Sequence, residues 1–479
     1  MNNKRFKIIT VLLSVLLFTG CTGKENNVEM GPKSISDLME NYDKVSSQSA
    51  NENETSEKKS EKVEKNTDSK TQAKKNWEKS LAKEKKLEKI EADKEEVIEE
   101  ENKKETGRKE NGEKKESKKK LFNFDKEDES YSKKARIKFF GDTMAHYDQV
   151  SYAYNYGGGT YDFSKQYEYI KDYVKDADLS ITNYETTTNP NRDYSGFPAF
   201  NTPGEYLKDI KDAGFDVVTT ANNHTLDTGE EGVFTTIDAI KEAGLDSVGT
   251  HETDDQRILY KEVNGIKIAI LSYTYGCNGE VDLLTPREEV ESVNYIHDDL
   301  IKDDIKTAKK NGADFVIVYP HWEIEYESYP IKETVERGHK MIDWGADLVI
   351  GNHPHVVQPV EKYSTEDGRE GLIAYALGNL VSLQSYDSFG DYRVEQGLSI
   401  DLNLELDEKT GNKKISNINY NPLWIGMRYD EFGETAQIYK CEDFLEGGDK
   451  YDWVDEYQRE RIRLAYNMTM ETVETEVGQ

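Results

Sequence analysis

Residues 343–359 read DWGADLVIGNHPHVVQP, and this stretch indicates both a fold class and a site. The apolar run from Leu348 to Ile350 predicts a buried strand, because it is short and follows a glycine that suits a left-handed helix cap. Polar residues end the run, with His353 and His355 on either side of a proline. Proline favours an extended predecessor, and residues two apart in extended chain point the same way. The sequence therefore predicts two imidazoles that face one cavity.

Other segments of the chain repeat this layout of helix end, apolar strand and polar terminus. Short β-branched runs that alternate with amphipathic helical stretches are typical of an α/β unit, with helices covering both faces of the strands. In open α/β sheets, sites collect beyond the carboxyl ends of the strands. Five predicted strands end in polar side chains at that edge: Asp142, Asn183 with Glu185, Asn223 with His224, His321, and His353 with His355.

These side chains suit divalent metal ions. Neutral imidazoles are good ligands for transition metals, and Asp142 and Glu185 supply negative charge. The other predicted ligands are Asn223, His321, His353 and His355. No thiolate motif competes with them. The sequence therefore predicts one or two divalent ions, Mn, Zn, Fe or Mg, at a hydrolytic site.

His224 is predicted to lie beside the metals without binding them, as a proton donor or a transition-state stabiliser. It lies in the stretch ANNHTLDTGEEG, where Asp227 could orient the ring through its other nitrogen. An alternative fits this motif alone equally well: His224 is a polar surface residue and Asp227 caps the helix that follows. The convergence of five strand ends favours the catalytic interpretation.

Residues close to these strand ends are candidates for substrate contact. Glu325 and Tyr326 follow His321 closely and could line a pocket wall, although aromatic packing at a strand end explains them as well. The tyrosine-rich stretch 146–163 is interpreted as a loop at the rim of the site, since three consecutive glycines prevent a regular element there.

The N-terminus predicts export. Residues 1–21 combine a basic start, an apolar run and small residues, which is the layout of a signal peptide and too short for a comfortable membrane span. The sequence before Cys21 resembles a bacterial lipobox, so the signal is expected to be of lipoprotein type with lipid on Cys21; ordinary secretion is the alternative. The predicted location is the extracellular face of the bacterial membrane, lipid-anchored.

Residues 22–133 are predicted to be a charged low-complexity tether, either disordered or a solvated helix, because they cannot bury a core. The net charge of the whole chain is −31, and the acidic excess lies in the part after the tether. Such a charge balance argues against a nucleic-acid-binding surface. Of the 3 cysteines, Cys277 and Cys441 are too few for a disulfide framework and could either pair or stay reduced.

Six motifs, taken in order, resemble the CapA family of bacterial poly-γ-glutamate capsule synthesis proteins. They are Gly141-Asp142, Asn183-x-Glu185, NNHTLDTG from Asn222, HWEIEY from His321, GNHPHVVQP from Gly351 and LGNLV from Leu377. This family is related to calcineurin-like metallophosphoesterases. The resemblance implies a four-layer α/β/β/α sandwich of metallophosphoesterase type over residues 134–385. Residues 386–479 are predicted to add strands that complete the sheet and a terminal helix.

The resemblance also implies roles and partners. The implied metal ligands are Asp142, Glu185, Asn223, His321, His353 and His355, and His224 is the implied acid. Asn183 and Asn379 are also predicted to contact substrate. The implied substrate is an anionic polymer, poly-γ-glutamate, or a phosphoester, and the implied partners are the membrane and other capsule synthesis subunits. Family members usually have Gly in the place of Glu323, and an Arg is common near His146. Three functions remain open: a metal-dependent hydrolase or transferase, a non-catalytic subunit of a polymer synthesis or export complex, and an adhesin-like surface binder, for which only the tether argues.

Overall fold

The computed structural model describes residues 132–279 and 287–477. The strands in these ranges are β1 (Lys133–Thr143), β2 (Leu179–Tyr184), β3 (Val217–Thr219), β4 (Asp246–Val248), β5 (Leu259–Val263), β6 (Ile266–Thr274), β7 (Phe315–His321), β8 (Leu348–Ile350), β9 (Val360–Ser364), β10 (Glu370–Ala374), β11 (Asn379–Val381), β12 (Gln396–Leu406), β13 (Lys413–Asp430) and β14 (Gly433–Lys440). The helices there are α1 (Tyr147–Tyr156), α2 (Lys171–Lys175), α3 (Gly204–Ala213), α4 (Gly229–Ala243), α5 (Asp298–Lys310), α6 (Lys332–Trp344), α7 (Tyr386–Phe389), α8 (Cys441–Phe444) and α9 (Glu456–Val473). The predicted signal peptide, the lipidation of Cys21 and the tether up to residue 131 lie outside the described residues.

The strands form two sheets. The first has the order β14-β13-β12-β1-β2-β3-β4, with β11 paired to β1, and the second has the order β5-β6-β7-β8-β10-β9. In the first sheet, β1 to β4 run parallel and β12 is antiparallel to β1. In the second, β6, β7, β8 and β10 run parallel. Parallel neighbours bring their carboxyl ends to one edge of each sheet.

The two sheets pack against each other and carry helices on their outer faces. Alternate residues of one strand serve the two faces: Phe139 packs into the core shared with the second sheet, and Phe140 packs into the core under the helices. Ile317 and Val318 divide in the same way on β7. The predicted four-layer α/β/β/α sandwich is confirmed. The expectation that helices cover both faces of the strands is wrong, because the inner face of each sheet is covered by the other sheet.

Glycines end several helices as the sequence predicts. Gly214 and Gly244 follow α3 and α4 with φ of 110° and 79°, and the chain turns directly into the next strand. The interpretation of residues 146–163 as a loop is wrong in its first half, since Tyr147–Tyr156 is α1. Buried Val150 and Ala153 anchor this helix, and the glycines act only from Gly157 onward.

The segment after residue 386 joins the first sheet. β12 pairs antiparallel with β1 from Lys133 opposite Leu406 to Phe139 opposite Ile400. β13 returns after a tight turn that has Gly411 at φ 74°. Helix α9 follows, and no helix among the described residues has the length and apolar character needed to cross a membrane. Cys277 and Cys441 are both buried and free.

Candidate metal centre

The carboxyl ends of two neighbouring parallel strands from each sheet meet at one place between the two sheets. Asp142 near the end of β1 is in register with Asn183 of β2, and His321 ends β7. His321 also bridges to Asn352, which follows β8. Each strand therefore delivers its terminal polar side chains to a common buried cleft, as the sequence predicts.

Two groups of potential ligands share one carboxylate. Glu185, His321 and His353 form one group and Asp142, Glu185 and His355 the other, and the ligand atoms within each group lie within 4.8 Å of one another. Glu185 Oε1 lies 3.6 Å from His321 Nε2 and 3.7 Å from His355 Nε2. Glu185 would therefore be available as a ligand in both groups if metal were bound.

Asn223 extends the first group. Its Oδ1 lies 2.9 Å from Nε2 of His321. These two atoms could both hold one divalent ion, since an amide oxygen and an imidazole nitrogen are suitable donors for it.

Two buried polar atoms in the cleft have no hydrogen-bond partner among the described residues. They are Glu185 Oε1 and His353 Nδ1. An unpaired buried carboxylate oxygen is costly, and native proteins rarely leave one without a cation or a donor. Carboxylate, amide and imidazole donors with two orphaned atoms fit one or two divalent ions.

Burial sets the protonation of the imidazoles. It lowers the pKa of His321 and His353 well below the usual value, and the neighbouring imidazoles add to this effect. Both rings are therefore neutral and keep a lone pair for a metal. Burial also lowers the pKa of His355, but the hydrogen bond to Asp142 and its charge outweigh burial and leave it raised. Burial and the charge of Asp142 raise the pKa of Glu185 well above its usual value, a shift that a bound cation would reverse.

The backbone at the two histidines differs from the prediction. His353 has φ 105° and His355 has φ 57°, so neither residue is extended. The two rings nevertheless converge, with centroids 6.1 Å apart, because the chain turns sharply after β8. Non-glycine residues in this region are strained, and such strain is typical of functional sites.

His224 and Asp227 form a buried pair at the rim of the cleft. His224 Nδ1 lies 2.7 Å from Asp227 Oδ2, and both side chains are 4% exposed. The same carboxylate oxygen accepts a hydrogen bond from the Phe200 backbone at 2.6 Å. Thr228, not Asp227, precedes α4 as its cap residue, so Asp227 is free to orient the imidazole. The alternative of a surface histidine beside a helix cap is excluded by this geometry.

Asn183 and Asn379, predicted to contact substrate, lie behind the ligands. Asn183 Nδ2 donates to Asp142 Oδ1 at 2.8 Å, and Asn379 Oδ1 accepts from Nδ1 of His355 at 3.0 Å. Both side chains are buried and engaged with protein groups. Their positions favour the orientation of ligands over contact with substrate.

The wall of the cleft is aromatic. Tyr326, at φ 65°, has its ring centroid 6.0 Å from that of His355, and Glu325 beside it is exposed. Tyr275 was not anticipated: its ring lies 4.8 Å from that of His353, and it follows β6, a strand whose end carries no charged residue. His146 Nε2 lies 3.3 Å from the Ser382 hydroxyl, and burial lowers the pKa of this histidine to about 4.

Comparison with known proteins finds a family model and several relatives that match this chain. The family model described as "Bacterial capsule synthesis protein PGA_cap" matches residues 136–384. The chain is 33% identical over 239 residues to "Capsule biosynthesis protein CapA" of Bacillus anthracis, covering 48% of this chain and 56% of that protein. It is 30% identical over 236 residues to "PGA biosynthesis protein CapA" of Bacillus subtilis, covering 48% and 60% respectively. The chain thus spans somewhat more than half the length of these curated relatives.

A solved structure gives a weaker likeness. The calcineurin-like phosphoesterase YfkN from Bacillus subtilis aligns with 71% of this chain and 100% of its own, at 15% sequence identity and a TM-score of 0.35. A likeness of this size carries no functional argument. The chemistry of the site therefore rests on its own residues.

Proposed function

We propose, from the premise that this chain belongs to the bacterial capsule synthesis protein family PGA_cap, that it acts in poly-γ-glutamate capsule biosynthesis as a metal-dependent hydrolase or transferase. The bond acted on is a phosphoester or an amide. One observation carries the enzymatic part: two buried ligand groups share Glu185, and a carboxylate oxygen and an imidazole nitrogen in them have no hydrogen-bond partner in the described part of the chain.

The ligand set would be Asp142, Glu185, Asn223, His321, His353 and His355, holding one or two divalent ions. Three imidazoles favour Mn, Fe or Zn over Mg, which prefers oxygen ligands. A divalent ion bound there supplies Lewis acidity toward a phosphoryl or carbonyl oxygen. Asn183 and Asn379 fix the ring and carboxylate orientations, which is the usual task of groups behind metal ligands.

His224 is the residue that would move a proton. Asp227 holds its Nδ1, so the Nε2 atom is the one available to a substrate's leaving group. The backbone of Phe200 fixes Asp227 in turn, and the edge of the Phe200 ring lies against His224 with centroids 4.7 Å apart. The imidazole therefore has little freedom to turn away.

Location and partners belong to this proposal. Lipid on Cys21 would hold the protein at the outer face of the membrane, beside other capsule synthesis subunits. The substrate polymer is anionic and the chain carries a net charge of −31, so long-range electrostatics oppose their contact. A metal ion in the cleft would provide local positive charge, which favours binding at the strand ends.

Turnover by the metal-loaded full-length protein tests the enzymatic role. Suitable probes are bis-p-nitrophenyl phosphate for phosphoesters and γ-glutamyl-p-nitroanilide for amides. We expect metal-dependent hydrolysis of one class, reduced about 100-fold or more by His224→Ala with metal content unchanged. His297→Ala is the matched control, since His297 is exposed and pairs with Glu289. Metal binding with no turnover of either class would contradict the enzyme and favour the non-catalytic subunit.

A further inference from the structure

A second cavity, of about 470 Å³, opens on the surface beside α1. Four tyrosines line it, Tyr147, Tyr154, Tyr161 and Tyr194, and we call it the tyrosine cavity. None of the predicted metal ligands lines it. Its volume falls in the range of small-molecule sites, about 300–1,000 Å³.

The aromatic wall is an array of rings in mutual contact. The centroids of Tyr154 and Tyr161 lie 5.3 Å apart, and those of Tyr161 and Tyr194 also lie 5.3 Å apart with nearly perpendicular planes. Tyr147 and Tyr154 are 64% and 48% exposed, so both rings offer accessible surface to a ligand. Such exposed ring faces mark a binding surface more often than a packing surface.

Pro190, Arg192 and Asp193 also line the cavity, and the backbone of this segment is hydrogen-bonded to Asn201. Asn201 Nδ2 donates to the backbone oxygens of Asn189, Arg192 and Asp193 at 3.0, 3.4 and 3.1 Å. The side chains of Arg192 and Asp193 have no hydrogen-bond or ion-pair partner among residues 132–279 and 287–477. A cation and an anion are thus presented together, without pairing, on a fixed backbone.

The polar groups fit a ligand with both donors and acceptors and little net charge. Arg192 only donates, Asp193 only accepts, and phenol hydroxyls do both. Burial raises the pKa of Tyr161 and Tyr194, and the charge of nearby Glu205 adds to the rise. With this second carboxylate beside the rings, the surroundings are net negative and disfavour a polyanion. Neutral sugars fit the aromatic rings and the polar groups of this cavity. Their C–H faces pack on aromatic rings, and their hydroxyls both donate and accept hydrogen bonds.

We propose that the tyrosine cavity binds a neutral oligosaccharide. Tyr147 follows His146, whose ring contacts Phe200 at 5.2 Å, and Phe200 contacts His224 at 4.7 Å. Contacts through His146 and Phe200 therefore connect the cavity to the His224 side of the metal centre. The cavity would hold that side of the protein against a polysaccharide surface. This binding does not depend on the proposed metal chemistry.

Titration of the full-length protein with defined sugars tests the proposal. The probes are the trimer of N-acetylglucosamine, cellotriose and maltotriose, with a γ-linked glutamate oligomer as the anionic comparison, measured by calorimetry and saturation-transfer NMR. We expect saturable binding of at least one neutral trisaccharide, about ten-fold weaker in Tyr154→Ala and retained in Tyr154→Trp. His353→Ala should bind the sugar as the wild type does, which separates this site from the metal centre.

Tyr429→Ala is the control, because Tyr429 is 68% exposed and lies outside the cavity. The proposal is overturned if no neutral trisaccharide binds, if only the glutamate oligomer binds, or if Tyr154→Ala and Tyr429→Ala have equal effects. Thermal unfolding of each variant shows whether its fold is intact.

Discussion

Glu185 carries an electrostatic cost in the cleft. It is fully buried beside Asp142, and its Oε1 atom has no hydrogen-bond partner among the described residues. A buried carboxylate next to another carboxylate is unfavourable unless it is protonated or bound to a cation. Glu185 belongs to both ligand groups, so a bound metal ion would offset the cost of burying its charge.

Asn379 offers a test of ligand orientation. Its Oδ1 accepts from His355 Nδ1 and so leaves Nε2 of that ring facing Glu185. We expect Asn379→Ala to weaken metal affinity about 10- to 100-fold, because the His355 ring loses the partner that fixes it. Affinity is measured by competition with a chelating dye. Asn421→Ala, a buried asparagine on β13, should bind metal as the wild type does; equal losses in both variants would contradict the role of Asn379.

For single residues, the sequence predicted which side chains meet in the cleft better than it predicted their backbone conformations. All six predicted ligands converge, because each follows a strand that its apolar run made recognisable. The positive φ of His353 and His355 was not foreseen, since it arises from contacts of the turn with distant chain. Tyr275 was missed for a related reason: a tyrosine after a strand carries no signal of its own until the neighbouring strands are in place.

Gly351 connects β8 to the segment that carries His353 and His355. A Cβ atom there would lie 1.9 Å from the backbone oxygen of Tyr375 and 2.5 Å from Nε1 of Trp322. We expect Gly351→Ala to lower the free energy of unfolding by about 3 kcal/mol, because backbone cannot yield as a flexible side chain does. Urea denaturation measures the loss. Gly204→Ala, where nothing lies within 4 Å, should change it by less than about 0.5 kcal/mol; similar losses would rule out the close contact as the cause.

Asp209 on α3 gives the fold a dependence on pH. Its carboxylate accepts from the Phe163 backbone at 2.7 Å, and burial raises its pKa to about 6 from 3.8. The folded protein binds the extra proton between these values, so this group lowers stability as pH rises from about 4 to about 6. We expect Asp209→Asn to be about 1 kcal/mol more stable than the wild type at pH 7 and equal to it near pH 4.

Chemical denaturation at the two pH values measures this difference. Asp212→Asn is the control, since Asp212 lies on the same helix and is exposed. If Asp209→Asn is still more stable than the wild type at pH 4, burial of the charge is excluded as the cause of the stabilisation.

Elements were predictable where local signals agreed. The helices that end at Gly214, Gly244 and Gly345 follow amphipathic stretches, and each glycine has the positive φ that such an end requires. Helix α1 was not predicted, because tyrosines and the following glycines obscure the spacing of Val150 and Ala153. Its stability comes from packing onto the first sheet, which the local sequence does not reveal.

The arrangement of the whole molecule required more than residue patterns. Apolar strands between helices indicate an α/β protein but do not say whether one sheet or two will form. The family resemblance supplied the sandwich, and the structure confirms it through the inner core that both sheets share. The cleft needs both sheets, since Asp142 and Glu185 come with the first and the three histidines proposed as ligands with the second.

The metal content of the full-length protein tests the central claim most directly. Wild type and Glu185→Gln are purified, reconstituted with Mn²⁺ or Zn²⁺, freed of excess metal and measured by mass spectrometry. We predict one or two divalent ions per wild-type chain and a marked loss in Glu185→Gln, because that residue belongs to both ligand groups. A wild type that retains no divalent ion, or a Glu185→Gln variant that retains as much as the wild type, would contradict the account.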